Sequence, residues 1–291
     1  MAPTMWTILA LLRWADERFR REGMATPRLD AELLLAETLG LDRVGLYTHF
    51  DQPLQPGELA RFKELIRRRL RREPVAYILG KREFWSLPLR VTPEVLIPRP
   101  DTETLVSEGL KVLAPLEGKE FRFLEIGTGS GAVSIALAKE LPGARGLATD
   151  LSPRALAIAQ ENAREWGVRE RLRFVQGDLF EPLKQGEVFD LIVTNPPYIP
   201  REDFPSLPPE VREYEPRIAL DGGDDGLDFY RRALPGISDY LTAGGWFLAE
   251  IGAGQGPKVL EMGRNNPSLD SFGFAKDLSG IDRVFRVRKK T

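Results

Sequence analysis

Cysteine is missing from this 291-residue chain, and histidine occurs once, at position 49. Without cysteine, disulfides, thiolate metal sites and a thiol nucleophile are excluded. A single histidine far from every motif described below leaves no Ser/His/Asp triad to assemble. Long hydrophobic runs are absent too. The apolar stretch 5–12 is followed at once by Arg13, Asp16 and Glu17, and is too short and amphipathic for a signal peptide or a membrane span. Nor is there an excess of one charge: Lys and Arg total 41, Asp and Glu 43, for a net charge of −2. No global field drives such a chain onto nucleic acid or a lipid surface. These absences predict a cytoplasmic protein with no membrane association, no metal and no direct nucleic-acid binding.

The length predicts about two domains of ~100–200 residues each. Residues 1–73 read as a small all-α domain. Met5, Ile8, Leu9, Leu12 and Phe19 repeat at helical spacing. A second helix opens at Thr26-Pro27 and closes at Gly40, with Leu29, Leu33, Leu34 and Leu35 among its apolar positions. A short third covers 42–48. Pro56 opens a fourth, with Leu59, Phe62, Ile66 and Leu70 on one face. Its end, Arg67-Arg68-Arg69-Leu70-Arg71-Arg72, reads as a solvated face with cations near a helix C-terminus rather than a patch for RNA, since no aromatics are interleaved.

Pro74 breaks the helical pattern, and 75–91 look extended, so 74–92 are expected to form a β-hairpin linker to a second domain, 93–291. Asp101-Thr102-Glu103 opens a helix. From Phe121 onward strands at 122–126, 146–149, 172–176, 189–194, 245–251 and 283–287 alternate with helices, including 132–140, 153–166 and 226–241. Such alternation means a doubly wound, mostly parallel sheet. The polar segment 200–226 is long for a connection in a compact domain and is read as a wall or cover over the site.

Asn195-Pro196-Pro197-Tyr198 follows the apolar run 189–194, at the rim of the sheet where ligands of open α/β folds bind. The Pro-Pro pair stiffens the turn and removes two backbone donors. The Asn side chain and the turn's carbonyls then suit a planar NH2 group. Upstream, Glu125-Ile126-Gly127-Thr128-Gly129-Ser130-Gly131 ends one strand and opens a helix. A dinucleotide loop is G-x-G-x-x-G. This loop is one residue tighter and has a carboxylate ahead of it, which suits the amino-acid end of S-adenosylmethionine rather than a diphosphate. Asp150-Leu151, at the end of the next strand, are placed to hold ribose hydroxyls. Asp178-Leu179, after the third, are placed to hold adenine.

Together these motifs resemble class I S-adenosylmethionine-dependent methyltransferases. More narrowly, the chain resembles the HemK-type N5-glutamine methyltransferases of peptide chain release factors. The resemblance also runs through Glu73-Pro74-Val75-Ala76-Tyr77-Ile78-Leu79-Gly80, Ile97-Pro98-Arg99-Pro100-Asp101-Thr102-Glu103, Ala219-Leu220-Asp221-Gly222-Gly223 and Lys276-Asp277-Leu278-Ser279-Gly280-Ile281-Asp282-Arg283. Asp101 stands where Glu is commoner, and Leu179 where an aromatic is often seen.

The resemblance implies a seven-stranded sheet with its last strand antiparallel. It implies S-adenosylmethionine as methyl donor and S-adenosylhomocysteine as product. The acceptor would be the glutamine of the Gly-Gly-Gln motif of bacterial-type class I release factors, with the N-terminal domain helping to hold that factor. Asn195 and Pro196 would accept the substrate's N–H groups while Tyr198 packs against the amide plane. An adenine-N6 methyltransferase of DNA or RNA is the alternative, because adenine also presents a planar NH2.

Overall fold

The structure, a computed structural model, describes residues 6–114 and 120–291. Met5, expected on the first helix, lies outside these residues. The chain divides into two compact units, Met1–Gly80 with Pro209–Tyr214, and Lys81–Pro208 with Glu215–Thr291.

The first unit is helical: α1 (Ile8–Arg21), α2 (Pro27–Leu39), α3 (Arg43–Thr48), α4 (Pro56–Leu70) and α5 (Val75–Leu79), joined by a helix from much later in the chain. In α1 the buried residues Ile8, Leu11, Leu12, Ala15 and Phe19 form one stripe. Thr7 caps its start, accepting from the Ala10 amide at 3.3 Å. Gly40 ends α2 in the left-handed region, at φ 66°. Phe62 and Ile66 of α4 join the same core. His49 caps α3, its Nδ1 2.9 Å from the Gly45 carbonyl.

Residues 75–79, expected to be extended, are helical instead. A short, nearly continuous apolar run does not distinguish strand from buried helix by period. Pro74 supplies the helix start and Gly80, at φ 71°, the stop. The hairpin proper is β1 (Lys81–Phe84) and β2 (Leu87–Arg90), joined through Trp85 and Ser86 at φ 52° and 57°.

The second unit continues with α6 (Glu103–Leu113), β3 (Phe121–Ile126), α7 (Ala132–Glu140), β4 (Ala144–Asp150), α8 (Pro153–Glu165), β5 (Leu172–Gln176) and β6 (Phe189–Thr194). Beyond α9 (Pro209–Tyr214), which belongs to the helical unit, come α10 (Asp228–Ala233), β7 (Leu241–Glu250), α11 (Gly256–Arg264), β8 (Leu269–Lys276) and β9 (Asp282–Lys289). The helix expected over 226–241 is two pieces, α10 and a 3₁₀ turn at Ile237–Tyr240, with Pro235 between them. Strand β8 was not singled out in the sequence.

The sheet has seven strands in the order β5-β4-β3-β6-β7-β9-β8. Five are paired parallel to one another, and β9 pairs antiparallel with both β7 and β8, so β8 runs in the same direction as the five. Only the last strand therefore runs against the rest. Side chains alternate between two cores: Phe123, Leu191, Val193 and Leu248 pack in one, and Leu124, Ile192, Phe247 and Ala249 in the other. Both faces are covered, as a parallel sheet requires. The chain steps outward through β3, β4 and β5, then returns to β6 beside β3. That reversal is the switch point at which ligands of open α/β sheets bind. Among the described residues, no helix is long and apolar enough to cross a membrane.

Candidate active site

The carboxyl ends of β3, β4, β5 and β6 open on a cavity of about 530 Å³, within the usual range for small-molecule sites. Ten of the residues expected at a cofactor line it: Glu125, Gly127, Thr128, Gly129, Ser130, Asp150, Leu151, Asp178, Leu179 and Asn195. Pro196 and Pro197 line it as well. Gly131 and Tyr198 do not. Gly131 instead lets the loop lie against α8: at φ 83°, its missing Cβ would sit 3.2 Å from Ala159 Cβ and 3.0 Å from Ile135 Cδ1.

The loop after β3 is held from below by backbone. The Gly127 and Thr128 amides both donate to the Thr149 carbonyl, each at 2.9 Å. The Gly129 amide donates to Asp150 Oδ2 at 2.8 Å. Asn162 of α8 anchors the same loop, donating to the Ser130 carbonyl at 2.8 Å. Asp150 also accepts from the Ser152 amide at 2.9 Å, so it ties the loop to Ser152, whose hydroxyl caps α8 by accepting from the Ala155 amide at 3.1 Å. Burial raises its pKa despite these bonds from Ser152, Gly129 and Leu151.

Glu125 is 3% exposed and faces no cation among its hydrogen-bond partners. Its Oε2 accepts from Thr128 Oγ1 at 2.6 Å, from the Ser134 amide at 3.1 Å and from the Ser134 hydroxyl. Burial pushes its carboxyl up to about 7, outweighing those bonds, and the charge of Asp150 adds to the rise. Asp178 is held by Arg232 of α10, Nη2 to Oδ2 at 2.6 Å. Leu179 sits in the left-handed region at φ 47°, a strained place for a branched side chain.

The cavity walls carry Glu94, Glu125, Asp150, Asp178, Asp221 and Asp228 against Arg99, Arg231 and Arg232. An acidic lining with a buried carboxylate lacking a cation partner fits a ligand with cationic groups and disfavours a diphosphate. A class I methyl donor, with its ammonium and sulfonium, fits these residues.

The turn after β6 is braced from several sides. Asn195 Nδ2 donates to Thr102 Oγ1 at 3.0 Å. Thr102 Oγ1 donates to Glu250 Oε2, at the end of β7, at 2.6 Å. Tyr198 reaches Glu250 Oε1 at 3.4 Å, and burial, chiefly, with the Glu250 charge raises its hydroxyl to about 12. Gln255 Nε2 clips the turn to the next loop, donating to the carbonyls of Tyr198 at 3.0 Å and Gly226 at 3.1 Å. A Cβ on Gly226 would lie 2.3 Å from the Tyr198 oxygen, so the approach needs glycine.

Part of the 200–226 segment forms a wall of the cavity, through Pro216, Ile218, Ala219 and Asp221. Glu215 anchors that wall, accepting from Arg99 Nη2 at 2.5 Å and the Ile97 amide at 3.1 Å. Thr102, Ser134, Asn162, Arg232 and Glu250 were not predicted as site residues. Thr102 lay within a quoted motif without a role; the others carry no local signature.

Four of the five arginines in the basic run at 67–72 are paired within their own unit. Arg67 pairs with Glu64 at 3.0 Å, Arg68 with Glu73 at 2.5 Å, Arg69 with Asp30 at 2.7 Å, and Arg72 with Glu210 at 3.2 Å.

Comparison with known proteins adds relatives to this geometry. Residues 10–80 match the family model of the PrmC N-terminal domain, and residues 123–214 that of a methyltransferase domain. The chain is 51% identical to the release factor glutamine methyltransferase of Geobacter sulfurreducens, over 97% of this chain and 96% of that one. It is 44% identical to the protein of the same name from Moorella thermoacetica, over 98% and 99%. Among solved structures it resembles the catalytic domain of hMettl16 in complex with the MAT2A 3′UTR hairpin 6, with a TM-score of 0.56 and 17% identity over 71% of this chain and 76% of that one. That last likeness is one of fold.

Proposed function

This chain belongs to the family of release factor glutamine methyltransferases, and on that premise we propose that it methylates the side-chain amide nitrogen (N5) of the glutamine in the Gly-Gly-Gln motif of class I peptide chain release factors. The methyl donor is S-adenosylmethionine, leaving S-adenosylhomocysteine. The observation that carries this reading is a single cavity lined at once by Asn195, Pro196 and Pro197 and by Glu125, Asp150 and Asp178. Acceptors for an NH2 group and carboxylates for a cationic nucleoside therefore meet in one place.

Glu125 and the loop of Gly127 to Gly131 would hold the amino-acid end of the donor, Asp150 and Leu151 the ribose, and Asp178 and Leu179 the adenine. When bound, that donor supplies an electrophilic methyl group. Asn195 Oδ1 and the Pro196 carbonyl accept the two N–H bonds of the glutamine amide. This aims the nitrogen lone pair and limits rotation, and most of the acceleration is positioning. Tyr198 stiffens the turn from behind, through Glu250. No strong base is needed beforehand, because the amide proton becomes acidic only as nitrogen gains its fourth bond, and it can then pass to solvent.

The helices of residues 1–73 serve to hold the release factor, and the reaction is assigned to the cytoplasm. Incubation with labelled donor tests the reading. Label is expected on a release factor but not on its variant with Ala in place of that glutamine. Label on DNA or RNA instead would overturn it.

A further inference from the structure

An asparagine amide can meet a substrate with its oxygen or its NH2, and only the oxygen accepts an N–H. Hydrogen-bond partners decide which face is presented. Thr102 has a single hydroxyl proton. Its Oγ1 lies 2.6 Å from Glu250 Oε2 and 3.0 Å from Asn195 Nδ2. An ionised carboxylate only accepts, so the Thr102 proton lies toward Glu250. The Thr102 lone pairs then face Asn195, which must answer with NH2. Its oxygen is left for the cavity that Asn195 lines. Thr102 and Glu250 are 5% and 1% exposed, so no water competes freely for these positions.

We propose that Thr102 and Glu250 are positioning residues, a relay that holds Asn195 with its amide oxygen turned toward the substrate's NH2. The proposal rests on the methyl-transfer reading above and names how its acceptor is set. Glu250 does not line the cavity and Thr102 borders it beside Asn195; both are proposed to act through Asn195.

The relay is reversible by one proton. If Glu250 is protonated it donates to Thr102, which is then free to donate to Asn195 Oδ1. The amide turns over and shows its NH2 to an NH2. Glu250 faces Arg283 of β9, which favours the anion, and Asp101 before α6, which opposes it. It also faces the hydroxyls of Thr102 and Tyr198, while Tyr230 of α10 donates to its backbone carbonyl. Burial is the largest of these influences and pushes the carboxyl up to about 7. The switch therefore lies within a working pH range.

Three measurements test the relay. In single-turnover methyl transfer to a release factor, the intact enzyme should lose rate below an apparent pKa near 7, and Glu250→Gln should lack that acid limb. Thr102→Val should transfer roughly tenfold more slowly, with KM for the factor and donor affinity within about twofold, and Thr102→Ser should recover most of the rate. Independently of activity, the Asn195 Nδ2 resonances of asparagine-labelled protein should titrate near pH 7, and should not in Glu250→Gln. Thr102→Val at the parental rate, or Asn195 resonances flat across pH 5–9, would overturn the relay. If no label reached the factor at all, the methyl-transfer reading would fall, while the Asn195 titration would still decide the orientation.

Discussion

Both units pair buried carboxylates with guanidinium groups, as the sheet unit does for Glu215 with Arg99 and Asp277 with Arg283, but the sheet unit leaves Glu125 and Asp150 at the cavity without one. In the helical unit every deeply buried carboxylate described has a guanidinium beside it. Glu32, 2% exposed, accepts from Arg28 Nε at 2.8 Å, from Arg43 and from the Tyr47 hydroxyl. Burial alone would raise it, but those partners hold it below the usual carboxylate range. Arg69 sits between Asp30 and Glu210 at 2.7 and 3.0 Å. In the sheet unit, Glu125 is buried against hydroxyls and a backbone amide, and Asp150 against backbone amides. Both are pushed upward. Paired charge finishes a core, whereas buried charge without a cation marks a place where one is expected from outside.

The contrast can be broken at its strongest point first. Arg69→Met should strand Asp30, leave Glu210 to Arg72 alone, and cost about 3–5 kcal/mol, read from urea unfolding. A loss under 1 kcal/mol would show that the pairing is decorative.

Next comes Glu125. Its folded-state pKa, about 7, lies above its ordinary 4.5. Its contribution to stability is thus whole below about pH 4.5 and is lost as pH rises to 7. Glu125→Gln should stabilise the ligand-free protein at pH 8 by on the order of 2–3 kcal/mol and weaken donor binding by calorimetry. Unchanged donor affinity would remove Glu125 from the pocket's function.

Asn195→Ala, which removes an acceptor and no charge, should slow methyl transfer ten- to a hundredfold, from a loss of ~1–3 kcal/mol. Donor affinity should stay within about threefold. A parental rate would end the acceptor mechanism. The smallest effect should come from Arg67→Ala, an exposed pair, within about 0.5 kcal/mol by thermal unfolding.

The acceptor turn and the glycine loop were legible because each is contiguous: residues 195–198 and 125–131 state their geometry in the order of the chain. Asp150 and Asp178 were legible because strand ends recur at regular intervals. Thr102 and Glu250 were not, since 148 residues separate them and only the neighbouring position of β7 and the start of α6 joins them. Asn162 was hidden for the same reason, 32 residues from the loop it anchors. Val75 to Leu79 misled because an apolar run bounded by Pro74 and Gly80 fits a strand or one and a half turns of helix equally well. Strand β8 escaped notice because its register shifts between Asp270 and Gly273, which interrupts the alternation.

The reversal of β9 has a practical meaning. Val284 pairs with Glu250 at the cavity end of β7, while Arg288 pairs with Trp246 several residues back along it. The strand thus begins beside the site, delivering Arg283 to Glu250, and runs away from it. Anything tethered after Thr291 would hang from the opposite pole of the sheet. A fluorophore or surface anchor attached there should report on this protein from the end of the sheet away from the cavity.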